Sequence, residues 1–150
     1  MPRYSTCLEI PRPVDEVFAF FTRPASLVAL APPELQAALV DGPELLHAGG
    51  RVTWKLRRWG MSQTIVYEVT ALVEGKLITL EQRQGPLARW TQQQNFDPTS
   101  TGTRLSEEIE FEPPRGMLGR LVTEATVRAD LDRLFAHRAQ RLADLDEPRP

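Results

Sequence analysis

The sequence predicts an α+β fold, an antiparallel sheet of about seven strands covered by one long C-terminal helix. Three observations predict it. Between residues 117 and 145, Leu118, Leu121, Val122, Val127, Leu131, Phe135, Leu142 and Leu145 recur at three- and four-residue steps. Charged side chains fill much of the opposite side, so the segment reads as a single amphipathic helix in need of an apolar surface. Between Tyr4 and Glu112 run alternating stretches separated by short turns rich in Gly, Pro and Asp, the pattern of antiparallel neighbours. The length, 150 residues at 41% hydrophobic and 25% charged, suits one domain with a real core, spanning 1–150 with a frayed tail over 146–150.

The elements follow in order. Tyr4, Thr6, Leu8 and Ile10 share one face of a first strand, which Pro11 and Pro13 stop. Val14, Val17, Phe18 and Phe21 fall at helical spacing, with Asp15 and Glu16 favourably placed in the first turn. Pro24 ends that helix, and residues 25–30 form a second short one before Pro32-Pro33. Residues 35–40 fit helix or strand by periodicity, and the Asp41-Gly42-Pro43 turn favours strand. Further strands are expected over 51–59, 62–73, 77–84, 89–96 and 103–112, with Trp59-Gly60, Glu74-Gly75-Lys76, Gly85-Pro86 and residues 97–102 as turns. The order is β-α-α-β6-α.

Composition excludes several classes. A net charge of −2 with scattered arginines gives no footprint for nucleic acid or an anionic membrane. The N-terminus lacks the apolar run of a signal peptide, and no stretch approaches the roughly 18 apolar residues of a membrane span, so a cytoplasmic location is expected. The single cysteine, Cys7, forms no internal disulfide and is expected to be half-buried on the first strand. His47 and His137 lie on different segments without further ligands at metal spacing. No phosphate-cradling loop, nucleophile elbow or zinc-type cysteine pair is present, and neither metal nor cofactor is expected. The oligomeric state is open between monomer and weak homodimer.

The chemistry-bearing residues emerge from strand parity. On the sixth strand Trp90 and Phe96 share a face with Gln92 and Gln94, and on the seventh Leu105, Ile109 and Phe111 share one with Glu107. A hairpin pairing Phe96 with Thr103 sets Gln94 opposite Leu105 and Gln92 opposite Glu107. Gln82, beside Ile78 and Leu80 on the fifth strand, adds a third amide. Burying each such group costs roughly 1–3 kcal/mol unless it is hydrogen-bonded. One another, trapped water or a ligand must therefore satisfy them. Glu107 is the only candidate for a general acid or base, and no second titratable group faces it. Arg120, Arg128, Arg133, Arg138 and Arg141 are interleaved with acids along the last helix and read as solvated surface.

Four stretches, residues 17–35, 42–60, 82–96 and 102–121, resemble the START-like (SRPBCC) superfamily, in particular its small bacterial polyketide cyclase/dehydrase-like and ligand-binding members. The resemblance covers nearly the whole chain. It implies a helix-grip fold, a curved sheet wrapped around the last helix with a deep, mostly apolar cavity between them. In relatives of this kind histidines often stand where this chain has Gln92 and Gln94, in the run Trp90-Thr91-Gln92-Gln93-Gln94-Asn95-Phe96, so chemistry resting on imidazoles there is not carried over.

The resulting expectation is a protein that binds a hydrophobic or amphipathic, lipid- or polyketide-like small molecule. Trp54, Tyr67, Trp90, Leu121 and Phe135, with Phe111, are expected to supply apolar contact. Gln82, Gln92, Gln94 and Glu107 are expected to orient the polar end, and Gly116 and Gly119 to hinge the mouth. Two alternatives stand beside it: a cyclase or dehydratase using Glu107 in the same cavity, and a regulatory or interaction domain whose cavity is filled by its own side chains.

Overall fold

The computed structural model describes residues 1–146, and its elements follow the expected order. Of the tail expected to fray, only Asp146 is among the described residues, as the last residue of the final helix. Strand β1 (Arg3–Ile10) leads into α1 (Val14–Phe21), α2 (Pro24–Leu27) and two 3-10 turns, Val28–Leu30 and Pro33–Leu35. Then come β2 (Ala38–Asp41), β3 (Arg51–Arg58), β4 (Met61–Val73), β5 (Leu77–Gln84), β6 (Arg89–Pro98) and β7 (Thr103–Glu112). Helices α3 (Leu118–Leu121) and α4 (Glu124–Asp146) close the described chain.

All seven strands form one antiparallel sheet in the order β1-β7-β6-β5-β4-β3-β2. The first strand thus lies beside the last, and the helical insertion α1–α2 carries the chain from one edge of the sheet to the other. The 13-residue β4 is the longest strand, and its pairing with β5 shifts at Val66/Tyr67 and again at Val69/Ala71. Such irregularities bend a strand and raise its twist, which lets the sheet curl around α4.

Two apolar clusters form the core. In the first, Phe18 and Phe21 of α1 pack edge-on against Phe96 of β6, with centroids 5.1 and 5.7 Å apart. In the second, Val127, Leu131 and Phe135 of α4 cover Trp90, Ile109 and Phe111. Each fully buried side chain of this size contributes about 1.5–3 kcal/mol, so these contacts fix where α1 and α4 sit.

Several expectations are corrected. The last segment is two helices, not one: Val122 is extended and buried, and Thr123 starts a new helix by accepting the Thr126 N–H at 3.3 Å. The strand expected over 35–40 begins only at Ala38. Pro33 opens a 3-10 turn there, and Gln36 ends it in the left-handed region. The helix expected over 25–30 is a short α-helical turn followed by a 3-10 turn. Cys7 is exposed, as the outward parity of Ser5 and Glu9 beside it requires. The β6–β7 register is offset from expectation: Phe96 faces Leu105, Gln94 faces Glu107, and Thr103 pairs with Pro98. The strand runs on through Asp97 and Pro98, and a tighter turn, closed by Thr99 N–H to Gly102 O at 2.8 Å, replaces the longer loop. The offset is two residues, so every side chain keeps its face.

Candidate functional site

Glu107 is the centre of a buried polar network. Its Oε1 accepts hydrogen bonds from Gln92 Nε2 and Gln94 Nε2, each at 2.7 Å. Its Oε2 accepts from Arg138 Nη1 at 2.6 Å, an ion pair whose two side chains are 2% and 15% exposed. Gln94 reaches the carboxylate from directly across the ladder and Gln92 from the diagonal position. The guanidinium of Arg138 lies over the rings of Phe21 and Phe135, 5.6 and 4.8 Å from their centroids. Because a carboxylate only accepts, both amides must present their NH2 groups to it. Among the described residues, neither amide carbonyl accepts a hydrogen bond.

In front of this network lies a chamber of about 180 Å³. Phe21, Leu30, Trp54, Leu80, Leu134 and Phe135 supply apolar walls, and Arg58, Tyr67, Trp90, Gln92, Gln94 and Arg138 supply polar atoms. On two of these side chains a further donor, Trp90 Nε1 and Arg138 Nε, is sealed in the packing without a hydrogen-bond partner among the described residues. Burial pushes the Tyr67 phenol pKa up, and the nearby Arg58 charge partly offsets that. Burial likewise lowers the Arg58 pKa, against the opposing effects of Tyr67 and then Asp130.

The chamber adjoins an outer vestibule of about 330 Å³, with Leu35, Arg58 and Leu134 common to both. Its rim includes the β3–β4 turn, where Trp59 has φ 51° and Gly60 φ 74°. Two successive positive φ values make the tight turn suited to strand twist, and tryptophan is a costly choice for its first position. Its indole Nε1 donates to Asp130 Oδ2 at 2.7 Å, which ties the turn to α4.

Of the residues singled out from sequence, Trp54, Tyr67, Trp90, Gln92, Gln94 and Phe135 line the chamber. Glu107 stands behind the two amides and faces a different groove, of about 270 Å³, between β1, β7 and α4. Gln82 is spent locally, donating to Leu87 O at 2.8 Å across the β5–β6 turn. Phe111 is wholly buried in the second cluster. Leu121 is 79% exposed and supplies no apolar contact here, because the break at Val122 turns α3 outward. Gly116 takes a positive φ of 70°, whereas Gly119 lies in α3, where a Cβ would collide with Pro114 O.

Contrary to the expectation of a solvated surface position, Arg138 points inward and is largely buried. The pattern held a signal, since Leu131, Leu134, Arg138 and Leu142 follow one another at three- and four-residue steps along a single stripe. An arginine on that stripe requires a buried acid. Arg58, the last residue of β3, carries no comparable signal in the sequence. Among the described residues no three His, Cys, Asp or Glu side chains converge as a metal site.

The sequence profile described as "Polyketide cyclase / dehydrase and lipid transport" matches residues 1–145. The chain belongs to this family. Solved structures of the same architecture include protein CV1439 from Chromobacterium violaceum, 18% identical with TM-score 0.77 over 99% of this chain and 100% of that one. Protein Ms6760 from Mycobacterium smegmatis is also 18% identical, with TM-score 0.74 over 99% and 92%. The allergen Ara h 8.0201, of Bet v1 type, is 12% identical with TM-score 0.68 over 96% of each chain. At such identities the likeness establishes the fold of this family member, an SRPBCC-type sheet closed by a long helix, and nothing about its ligand. No curated protein matches the sequence. Among the described residues, no helix is long and apolar enough to cross a membrane.

Proposed function

We propose that this polyketide cyclase/dehydrase and lipid transport family member binds a hydrophobic or amphipathic small molecule, lipid- or polyketide-like, in the chamber between sheet and α4. One observation carries the reading. The side chains of Gln92 and Gln94 line a mostly apolar chamber, their NH2 groups are spent on Glu107, and among the described residues no donor meets their carbonyl oxygens. Leaving such a group unmet costs about 1–3 kcal/mol, and a ligand bearing a donor would remove that cost. Trp54, Leu80 and Phe135 supply apolar contact in this reading. Gln92 and Gln94 offer their free carbonyls to a donor on the ligand. Glu107 acts through them as a positioning residue, because both its oxygens are already engaged.

The same engagement weighs against Glu107 as a general acid or base. Proton transfer there would have to displace Arg138 or an amide first. The open chamber weighs against a domain filled by its own side chains. The test is titration of the protein with decanol, followed by tryptophan fluorescence, in wild type and in Ala37→Trp. Ala37 is a small residue of the chamber wall, so a tryptophan there occupies the space a ligand needs. Saturable binding to the wild type and its loss in a folded Ala37→Trp variant is the expected result. Equal binding to both proteins would place the molecule elsewhere and sink the reading.

A further inference from the structure

The chamber has a second polar end, opposite in character to the Glu107 network. Arg58 is nearly buried, with its side chain 14% exposed, and lines both the chamber and the vestibule. Among the described residues Asp130 is its only ion-pair partner, and the contact is loose, with Nε 3.8 Å from Oδ2. The oxygens of Asp130 are already taken, Oδ2 by the Trp59 indole and Oδ1 by Arg133. Among the described residues, the Arg58 guanidinium therefore donates no hydrogen bond. It rests on the Trp59 ring, 4.9 Å from the centroid. The Tyr67 hydroxyl, on the same chamber wall, likewise has no hydrogen-bond partner among the described residues.

A planar fork of donors, desolvated and unmatched, is the arrangement that binds a carboxylate in two parallel hydrogen bonds. The surroundings set the charge of the guest. The vestibule gathers Arg57, Arg58 and Arg133 against Glu34 and Asp130, three cations to two anions, which leaves one positive charge to be met. Resting on the binding mode proposed above, we infer that Arg58, with the Tyr67 phenol on the same chamber wall, anchors a monoanionic head group, and that the ligand is an amphipathic carboxylic acid rather than a neutral lipid. Its apolar body then occupies the chamber, and its charged end points toward the vestibule and solvent. A second negative charge would meet Glu34 and Asp130, which disfavours dianions.

The test compares decanoate with decanol, matched in chain and kept below micelle formation, against the full chain. Trp54 and Trp90 line the chamber and report occupancy by fluorescence. Wild type is expected to bind decanoate roughly tenfold more tightly than decanol, the scale of a charge-assisted pair. Arg58→Gln should abolish that preference, so that decanoate binds no more tightly than decanol. Tyr67→Phe, which keeps the ring, should reduce the preference about threefold, and it decides the matter if Arg58→Gln does not fold. Equal affinities in wild type overturn the carboxylate anchor and leave the apolar chamber standing. A preference that survives both substitutions also overturns it. If neither compound binds, the chamber reading falls and the anchor with it.

Discussion

The Glu107–Arg138 pair decides how the buried wall responds to mutation. Both side chains are withdrawn from water, and removing one strands the other's charge. Glu107→Leu is expected to cost about 3–5 kcal/mol in urea unfolding, the usual penalty for an uncompensated buried ion. Glu107→Leu combined with Arg138→Met should recover most of that loss, because a matched apolar pair leaves no orphan charge. If the double variant were as unstable as the single, the cost would lie in packing, not in charge. The tyrosines give a second residue-level outcome. Burial, then the 2.7 Å hydrogen bond to Asp132, push the Tyr4 phenol up to about 12, and burial raises Tyr67 as well. A folded pKa above the unfolded value, about 10, means a contribution present below pH 10 and lost as pH rises toward 12. Ultraviolet titration of the native protein should therefore show no phenolate in the ordinary range, and Tyr67→Phe should remove one of the two late transitions. Parity alone placed Gln92, Gln94 and Glu107 together on the inner face, and that was legible. Their exact bonding was not, because it depends on Arg138, a residue 31 positions beyond Glu107 in sequence whose role only the docked helix reveals.

At the scale of elements, alternation and turn residues located every strand but β2 to within a residue or two, and the aromatic spacing of α1 located that helix. Elements whose ends are set by local hydrogen bonds were harder. The stripe of apolar residues runs unbroken through Val122, so periodicity carried the last helix straight across the break. The sequence does mark the break, with Thr123 followed by Glu124, a hydroxyl cap with an acid behind it. Thr123→Ala removes the acceptor for the Thr126 N–H and should cost about 1 kcal/mol, with amide exchange accelerated in the first turn of α4. Unchanged stability and exchange would mean that Val122 burial alone sets the break. Trp59 is the counterpart on the sheet. Its left-handed backbone is disfavoured for a bulky residue, and it is held by the Asp130 hydrogen bond and the stacked Arg58. Nothing in a Trp-Gly pair announces which helix the indole will reach.

At the scale of the molecule, the chamber lies at the seam between the two core clusters. Phe21, Leu30 and Leu80 belong to the first, Trp90, Leu134 and Phe135 to the second, and all six line the cavity. The sheet and α4 are thus joined through their own contacts around the rim and through an unfilled space at the centre. A bound molecule that touches both clusters adds the missing contacts and binds only the folded chain. At a free concentration tenfold above Kd it should stabilise by about 1.4 kcal/mol, or roughly 3–5 °C in melting temperature for a chain of this size. A side chain that fills the same space should act in the same direction. Leu80→Phe, a half-buried β5 residue of the wall, is expected to raise the melting temperature of the free protein while reducing the further shift produced by decanoate. The two effects must be exchanged, stability for ligand response, if the cavity is a place for a guest. A variant that melts lower and keeps its decanoate response would show that the wall is already filled and that the molecule binds outside it.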